Sequence, residues 1–223
     1  MDPFHERLAR TGLGAAHRYG FALAGGYAVQ AAGLLERPSE DVDLFTAWDR
    51  REEFPDAVTA VVHAYRDDGL RVDIERQYDT FARLAVTDGL RVSKVELGVD
   101  WRAKEPILMA IGPVLHPDDA VANKMSALYG RAFARNFVDI DATLRSGRYT
   151  REVLLSLVQR ADRRFDRRVF ADALGQADVL DPDDFAQYGV TDQALDDLHR
   201  RFAAWRRELL DEESPARPGN SVG

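Results

Sequence analysis

The stretch LAGGYAVQAAGLLERPSEDVDLF, residues 23–45, sets a glycine pair ahead of two carboxylates separated by a single apolar residue. Glycine carries no Cβ, so backbone N–H groups at Gly25 and Gly26 can close around an anion, and a helix that follows turns its positive end to the same place. Residues 19–24 predict a short strand that delivers the pair, and the alanine-rich residues 27–34 predict a helix that Gly33 can close. Pro38 then precedes a strand over residues 41–45. Side chains alternate faces along a strand, so Asp41 and Asp43 share one side while Val42 and Leu44 share the other. Two adjacent hard oxygen ligands suit magnesium. The order of strand, glycine turn, helix and carboxylate strand is what a nucleotide-binding unit requires.

Outward from this stretch, residues 3–18 read as a helix with Phe4, Leu8, Leu13 and Ala16 as its apolar face, interrupted by Gly12 and Gly14. Residues 54–65 place Val58, Val61, Val62 and Tyr65 at helical spacing. Three extended segments follow, residues 70–76, 80–87 and 90–99, the last two joined by the turn signal Asp88-Gly89. In the third, Val95, Leu97 and Val99 face one way and Lys94 and Glu96 the other, which makes Glu96 the candidate third carboxylate. Asp73 and Asp100 are rivals for that place.

The strand signals stop near residues 113–117 and helical periodicity takes over, so the expected organisation is an α/β domain over residues 1–115, a helical domain over 116–210 and a disordered tail over 211–223, rich in proline, glycine, serine and charge. Pro117 with Asp118 and Asp119 marks a helix start, and Lys124, Leu128 and Arg131 share one face of that helix. Residues 150–170 predict a helix with Leu154, Val158, Ala161 and Phe165 buried. Residues 191–210 predict another, with Leu195, Leu198, Phe202, Trp205 and Leu209 as its stripe.

The 223 residues suffice for a sizeable core, and 45% hydrophobic with 30% charged residues is ordinary for a globular protein. A net charge of −8 gives no global attraction to nucleic acid, so an RNA partner would need a local basic patch. The arginines Arg160, Arg164, Arg167, Arg200, Arg201, Arg206 and Arg207 are candidates for one, although Asp162, Asp166 and Glu208 among them favour a salt-bridged solvated face. The absence of cysteine removes disulfides, thiolate metal sites and a cysteine nucleophile. No histidine spacing suggests zinc and no serine lies in a nucleophile elbow. The N-terminal residues MDPFHERLAR carry charge where a signal peptide needs an apolar run, and no segment reaches membrane-spanning length, so a cytoplasmic protein without a membrane partner is expected.

The segments GGYAV (25–29), RPSEDVDLF (37–45), SKVELGVD (93–100) and NKMSALYGRAFARNFVDIDATL (123–144) together resemble the AbiEii/AbiGii-type nucleotidyltransferases of the polymerase β-like nucleotidyltransferase superfamily. The resemblance implies an α+β fold, a mixed sheet flanked by helices followed by a C-terminal helical domain. It also implies an NTP donor, two magnesium ions, transfer of a nucleoside monophosphate to an acceptor hydroxyl with tRNA as the acceptor, and a toxin restrained by a cognate antitoxin. By resemblance the metal ligands are Asp41, Asp43 and Glu96. Gly25, Gly26, Tyr27, Ser39 and Lys124 contact the nucleotide, and Lys124 and Asp139 join the three carboxylates as catalytic residues. The chain departs from the pattern twice. Tyr27 stands where many superfamily members carry Ser or Thr, and Arg135-Asn136 stands where the family commonly reads Arg-Asp.

Nucleotidyl transfer spreads negative charge over the phosphoryl oxygens, so metals and positioned donors carry most of the catalysis. Asp41, Asp43 and Glu96 have that chemistry, with Glu96 also able to accept the acceptor's proton. A D-x-D strand alone also occurs on solvated sheet faces; the upstream glycine pair is what turns the reading toward a metal. Lys124 can equally sit on a polar helix face, and Asp139 can pair with Arg135 one turn earlier. A small-molecule, antibiotic-type nucleotidyltransferase and a catalytically silent binding module, with Tyr27 as its hint, are the alternative readings.

Overall fold

The computed structural model describes residues 1–37 and 39–212, and the chain divides into two units, Met1–Asn123 and the residues from Lys124 onward. Within the first unit the described strands form one mixed sheet. They are β1 (Ala22–Leu23), β2 (Asp41–Ala47), β3 (Arg71–Gln77), β4 (Phe81–Thr87), β5 (Val92–Asp100), β6 (Ile107–Met109) and β7 (Gly112–Val114), in the order β3-β4-β5-β2-β1-β7-β6. β2 runs parallel to β5 and β1 parallel to β7, and the other neighbours are antiparallel. Helices α1 (Pro3–Ala16), α2 (Gly25–Ala31) and α3 (Phe54–Asp67) flank this sheet. The architecture is the expected α+β one.

Strands β3, β4 and β5 lie where the alternation put them. The turn between β4 and β5 is held by Asp88, whose Oδ1 accepts the N–H groups of Leu90 and Arg91, both at 2.9 Å. These bonds, with the Arg91 guanidinium, draw the Asp88 carboxyl down to about 2. Strand β1 is shorter than predicted, because residues 17–19 form a 3-10 turn that ends at Gly20 in the left-handed region. The glycine pair opens α2 itself instead of preceding it. Strands β6 and β7 were not foreseen, since three residues are too few to carry a period-2 signal. β7 nevertheless extends the sheet beside β1, and the Leu115 N–H donates to the Leu23 carbonyl at 2.9 Å.

Helix α1 is capped by Asp2, which accepts from Phe4 N and His5 N. Its predicted face is buried, and Gly12 is buried with it. A Cβ on Gly12 would come within 2.6 Å of both Leu44 Cδ1 and the Tyr65 hydroxyl, so this glycine is a packing requirement of α1 against β2 and α3. Tyr65, fully buried on α3, donates its hydroxyl to the Leu8 carbonyl at 2.9 Å, which ties α3 to α1.

Helix α4 (Pro117–Gly130) starts at the predicted proline, with His116 Nδ1 accepting the Asp118 N–H at 3.2 Å. The division between the units falls inside α4, and Arg131 lies one residue beyond the helix. The second unit continues with α5 (Ala134–Arg145), α6 (Arg151–Ala161), α7 (Arg167–Gly175), α8 (Pro182–Ala186) and α9 (Asp192–Glu212). The single helix expected over residues 150–170 is two. Asp162 is extended and takes the Arg164 N–H, and Asp166 caps the start of α7, so short acidic side chains redirect the backbone. Phe165 stays in the core from the connecting segment, 4.9 Å from the Tyr129 ring and 5.3 Å from Phe170. The predicted stripe of α9 is buried throughout, with Phe202 edge-on to Phe137 and Trp205 edge-on to Phe170, both at 5.2 Å. Asp211 and Glu212 continue α9, and the remainder of the expected tail lies outside the described residues.

Gly12→Ala should destabilise the protein. Overpacking costs about 1–3 kcal/mol against at most ~1 kcal/mol gained in helix propensity. A urea melt is expected to show a net loss of ~1–2 kcal/mol.

Candidate active site

The parallel pairing of β2 and β5 sets Asp41 beside Lys94 and Asp43 beside Glu96. Ligating oxygens of Asp41, Asp43 and Glu96 lie within 4.8 Å of one another, with Asp43 buried and the other two half-buried. Asp43 is 9% exposed, whereas Val42, Leu44, Val95 and Leu97 on the opposite faces of the strands have no exposure. The rival acids lie elsewhere. Asp73 is exposed on β3, two strands from β5. Asp100, at the other end of β5 beside Ala47, takes the Trp101 N–H at 2.7 Å.

Gly25 adopts φ 58°, and a Cβ there would meet Asp43 Oδ2 at 1.7 Å. The residue is glycine both for its backbone and for the room it leaves to the carboxylate. A Cβ on Gly26 would meet Ser39 Oγ at 2.6 Å, and Ser39 Oγ in turn lies 3.5 Å from Asp41 Oδ1. The two glycines, Ser39 and the two aspartates therefore share one small volume. Tyr27 turns away from it. Its hydroxyl bonds His5 Nδ1 at 2.6 Å, and His5 Nε2 bonds Ser93 Oγ at 2.7 Å. Burial raises the Tyr27 pKa and lowers that of His5, the latter opposed by Asp2 and Asp41. This chain joins α1, the first turn of α2 and β5.

In the second unit Lys124 and Asp139 come together, Nζ to Oδ2 at 2.8 Å, with Asp139 fully buried and Lys124 half-buried. Several arginines of this unit are paired with acids. Arg201 makes a two-pronged contact with Asp141 at 2.6 and 2.9 Å, Arg151 meets Glu208 at 2.6 Å, and Arg200 meets Asp197. Arg164 and Arg167 pair with Asp162 and Glu152. Arg164, Arg167, Arg200 and Arg201 are thus salt-bridged as the interleaved acids suggested, whereas Arg160 donates to the Ser156 carbonyl.

Arg83, His5 and Ser93 were not singled out in the sequence. Arg83 faces Glu96 across β4 and β5, with Nε at 2.8 Å and Nη2 at 2.6 Å from the same oxygen, Oε1. A cavity of about 790 Å³ opens beyond the C-terminal end of β2, bordered by Trp48, Arg50, Trp101, Arg102 and Lys104 among others. None of the three carboxylates lines it. Its wall mixes acidic and basic groups without convergence, so the carboxylate cluster is the stronger site.

The fold is that of known nucleotidyltransferases. A solved structure described as a candidate nucleotidyltransferase from H. pylori superposes with a TM-score of 0.57 at 18% identity, covering 94% of this chain and 96% of that one. MenT4, a nucleotidyltransferase toxin from Mycobacterium tuberculosis H37Rv, superposes with a TM-score of 0.54 at 18% identity, covering 92% and 83%. No curated protein matches the sequence. The model of the family described as nucleotidyl transferase AbiEii toxin, type IV toxin–antitoxin system, matches residues 8–218. The chain belongs to the AbiEii family of nucleotidyltransferase toxins.

Gly25→Ala is expected to keep the fold at a cost of about 1–2 kcal/mol for the left-handed backbone and to abolish transfer by displacing Asp43; melting and turnover measured side by side check the two effects. Burial raises the Asp100 pKa from 3.8 to about 6. The folded chain thus holds this proton more tightly than the unfolded chain, so stability falls as pH rises from about 4 to about 6 and stays at the lower level above. Asp100→Asn should remove that loss, at most about 3 kcal/mol, which denaturant titrations at pH 4.5 and 7.5 would reveal as a flatter pH dependence.

Proposed function

We propose that this nucleotidyltransferase moves a nucleoside monophosphate from an NTP onto a hydroxyl of tRNA, that it does so in the cytoplasm with magnesium at Asp41, Asp43 and Glu96, and that a cognate antitoxin restrains it. The observation that carries the reading is the grouping of these three carboxylates within 4.8 Å beside a glycine whose side chain would collide with one of them. Hard oxygen donors at this density fit a divalent ion and lack the nitrogen and sulfur donors of a zinc site. Bound there, magnesium would neutralise charge developing on the phosphoryl oxygens. Among the described residues no helix is long and apolar enough to cross a membrane.

In this reading Gly25 and Gly26 let the Asp43 carboxylate and the Ser39 hydroxyl pack against the first turn of α2, and the triphosphate meets this group of side chains. The hydroxyl that superfamily members supply from the position of Tyr27 comes instead from Ser39, while Tyr27 anchors the first turn of α2 through His5. The acceptor oxygen forms a bond to the α-phosphorus, the bond to pyrophosphate breaks opposite, and the acceptor's proton passes to a carboxylate of the cluster, for which Glu96 is the candidate. Within the second unit, Lys124 is the candidate phosphate-contacting cation, with Asp139 holding its ammonium group.

Incubation with labelled NTPs, magnesium and total tRNA is expected to label the tRNA, and the joint change Asp41→Ala and Asp43→Ala to reduce labelling at least a hundredfold. Label confined to a small hydroxyl compound would establish the antibiotic-type alternative. Absence of both labels, with NTP binding unmoved by the double substitution, would sink the metal-site assignment and favour a silent binding module.

A further inference from the structure

The site contains a positive charge that the transfer chemistry does not call for. Arg83 stands directly opposite Glu96 and places two guanidinium nitrogens, at 2.6 and 2.8 Å, on Glu96 Oε1. Both side chains are largely withdrawn from solvent, at 25% and 17% exposure, so the pair is not the easily broken surface kind. A guanidinium does not lose its proton, and its contact with a carboxylate is charge-assisted. Glu96 is therefore already engaged on one oxygen before any ion arrives, and the cluster's negative charge is lowered by one.

A bare divalent cation entering this cluster meets Arg83 as a repulsive neighbour and must share Glu96 with it. A divalent cation complexed to a triphosphate differs in both respects. The nucleotide contributes oxygen ligands that reduce dependence on Glu96, and its negative charge turns Arg83 from an opponent into an attractive group. The sign of the Arg83 contribution thus reverses with the form in which the ion arrives.

We propose that Arg83 makes ion loading depend on the nucleotide, acting as a positioning and charge-balancing residue that disfavours the bare divalent cation and favours the cation–triphosphate complex. The inference rests on the carboxylate site proposed above. It assigns Arg83 a selective function distinct from merely stiffening the β4–β5 pair.

The test titrates the full chain with Mn²⁺, following free Mn²⁺ by its electron paramagnetic resonance signal, with and without a non-hydrolysable NTP analogue whose own uptake of Mn²⁺ is measured without protein and subtracted. The wild-type chain should bind Mn²⁺ at least tenfold more tightly with the analogue than without it. R83Q should bind bare Mn²⁺ about tenfold more tightly than wild type, the order expected when a unit positive charge is removed beside a divalent site in a water-like medium, and its gain from the analogue should shrink. R83K, which keeps the charge and loses the fork, should stay close to wild type for the bare ion. A residue needed only for sheet stability would move the melting temperature and leave this split untouched. Equal or weaker binding of bare Mn²⁺ by a folded R83Q overturns the proposal. So does a wild-type chain that binds Mn²⁺ equally well with and without the analogue, a comparison that needs no variant. No Mn²⁺ binding under either condition defeats the carboxylate-site reading itself, and with it this inference.

Discussion

The parallel pairing of β2 with β5 is the constraint on which the site depends, because it sets Asp43 beside Glu96 and keeps Asp41 within reach of both. Three carboxylates at this separation repel by about 1–3 kcal/mol per ionised pair, between the limits for water and for a protein surface. The opposition comes from the other faces of the same strands. Val42, Leu44, Val95 and Leu97 are fully buried, and at about 1.5–3 kcal/mol each, an upper estimate, they outweigh the repulsion. Arg83 removes part of the remainder by pairing with Glu96. The acidic cluster is held together by an apolar core that does not touch any ligand.

The first turn of α2 is fastened to the same frame from another direction. Gly25 leaves the space that Asp43 fills, and Tyr27 reaches through His5 to Ser93, three residues before Glu96 on β5. The Tyr27 hydroxyl is thus committed to a part-buried hydrogen-bond chain, and Ser39 stands beside Gly26 with a hydroxyl of its own. In the second unit an aromatic core of Phe137, Phe170, Phe202 and Trp205 supports a surface on which Arg151 and Arg201, among others, are joined to acids. Membership of the AbiEii family gives this frame its chemical class.

Much of this was legible in the residue pattern, and the exceptions have physical causes. Alternation marked β2 to β5, and helical spacing marked α1, α3 and α9, because each is long enough for one buried face to show its period. β6 and β7 are too short for that, and their place at the edge depends on pairing with β1. The break between α6 and α7 was hidden because the stripe through Leu154, Val158 and Phe165 continues across it; Asp162 and Asp166 divert only the backbone. Arg83 was hidden by register. A two-residue turn at Asp88-Gly89 would pair Thr87 with Leu90 and therefore Arg83 with Lys94, whereas the turn stabilised by Asp88 pairs Thr87 with Val92 and Arg83 with Glu96.

By itself the sequence determined the kind of chemistry and the classes of element, since a glycine pair before D-x-D and the hydrophobic periods are local properties of the chain. It left open which of Glu96, Asp73 and Asp100 stands with the two aspartates, and what Tyr27 does. Tertiary structure decided these points because each is a relation between segments far apart in sequence. Strand order removes Asp73 from the cluster, strand register brings Glu96 to Asp43 and sends Asp100 to the far end, and the packing of α1 on the sheet carries His5 to Tyr27. A one-position change in register would exchange the faces of every side chain on a strand, so the composition of the site is settled only when the whole sheet has formed.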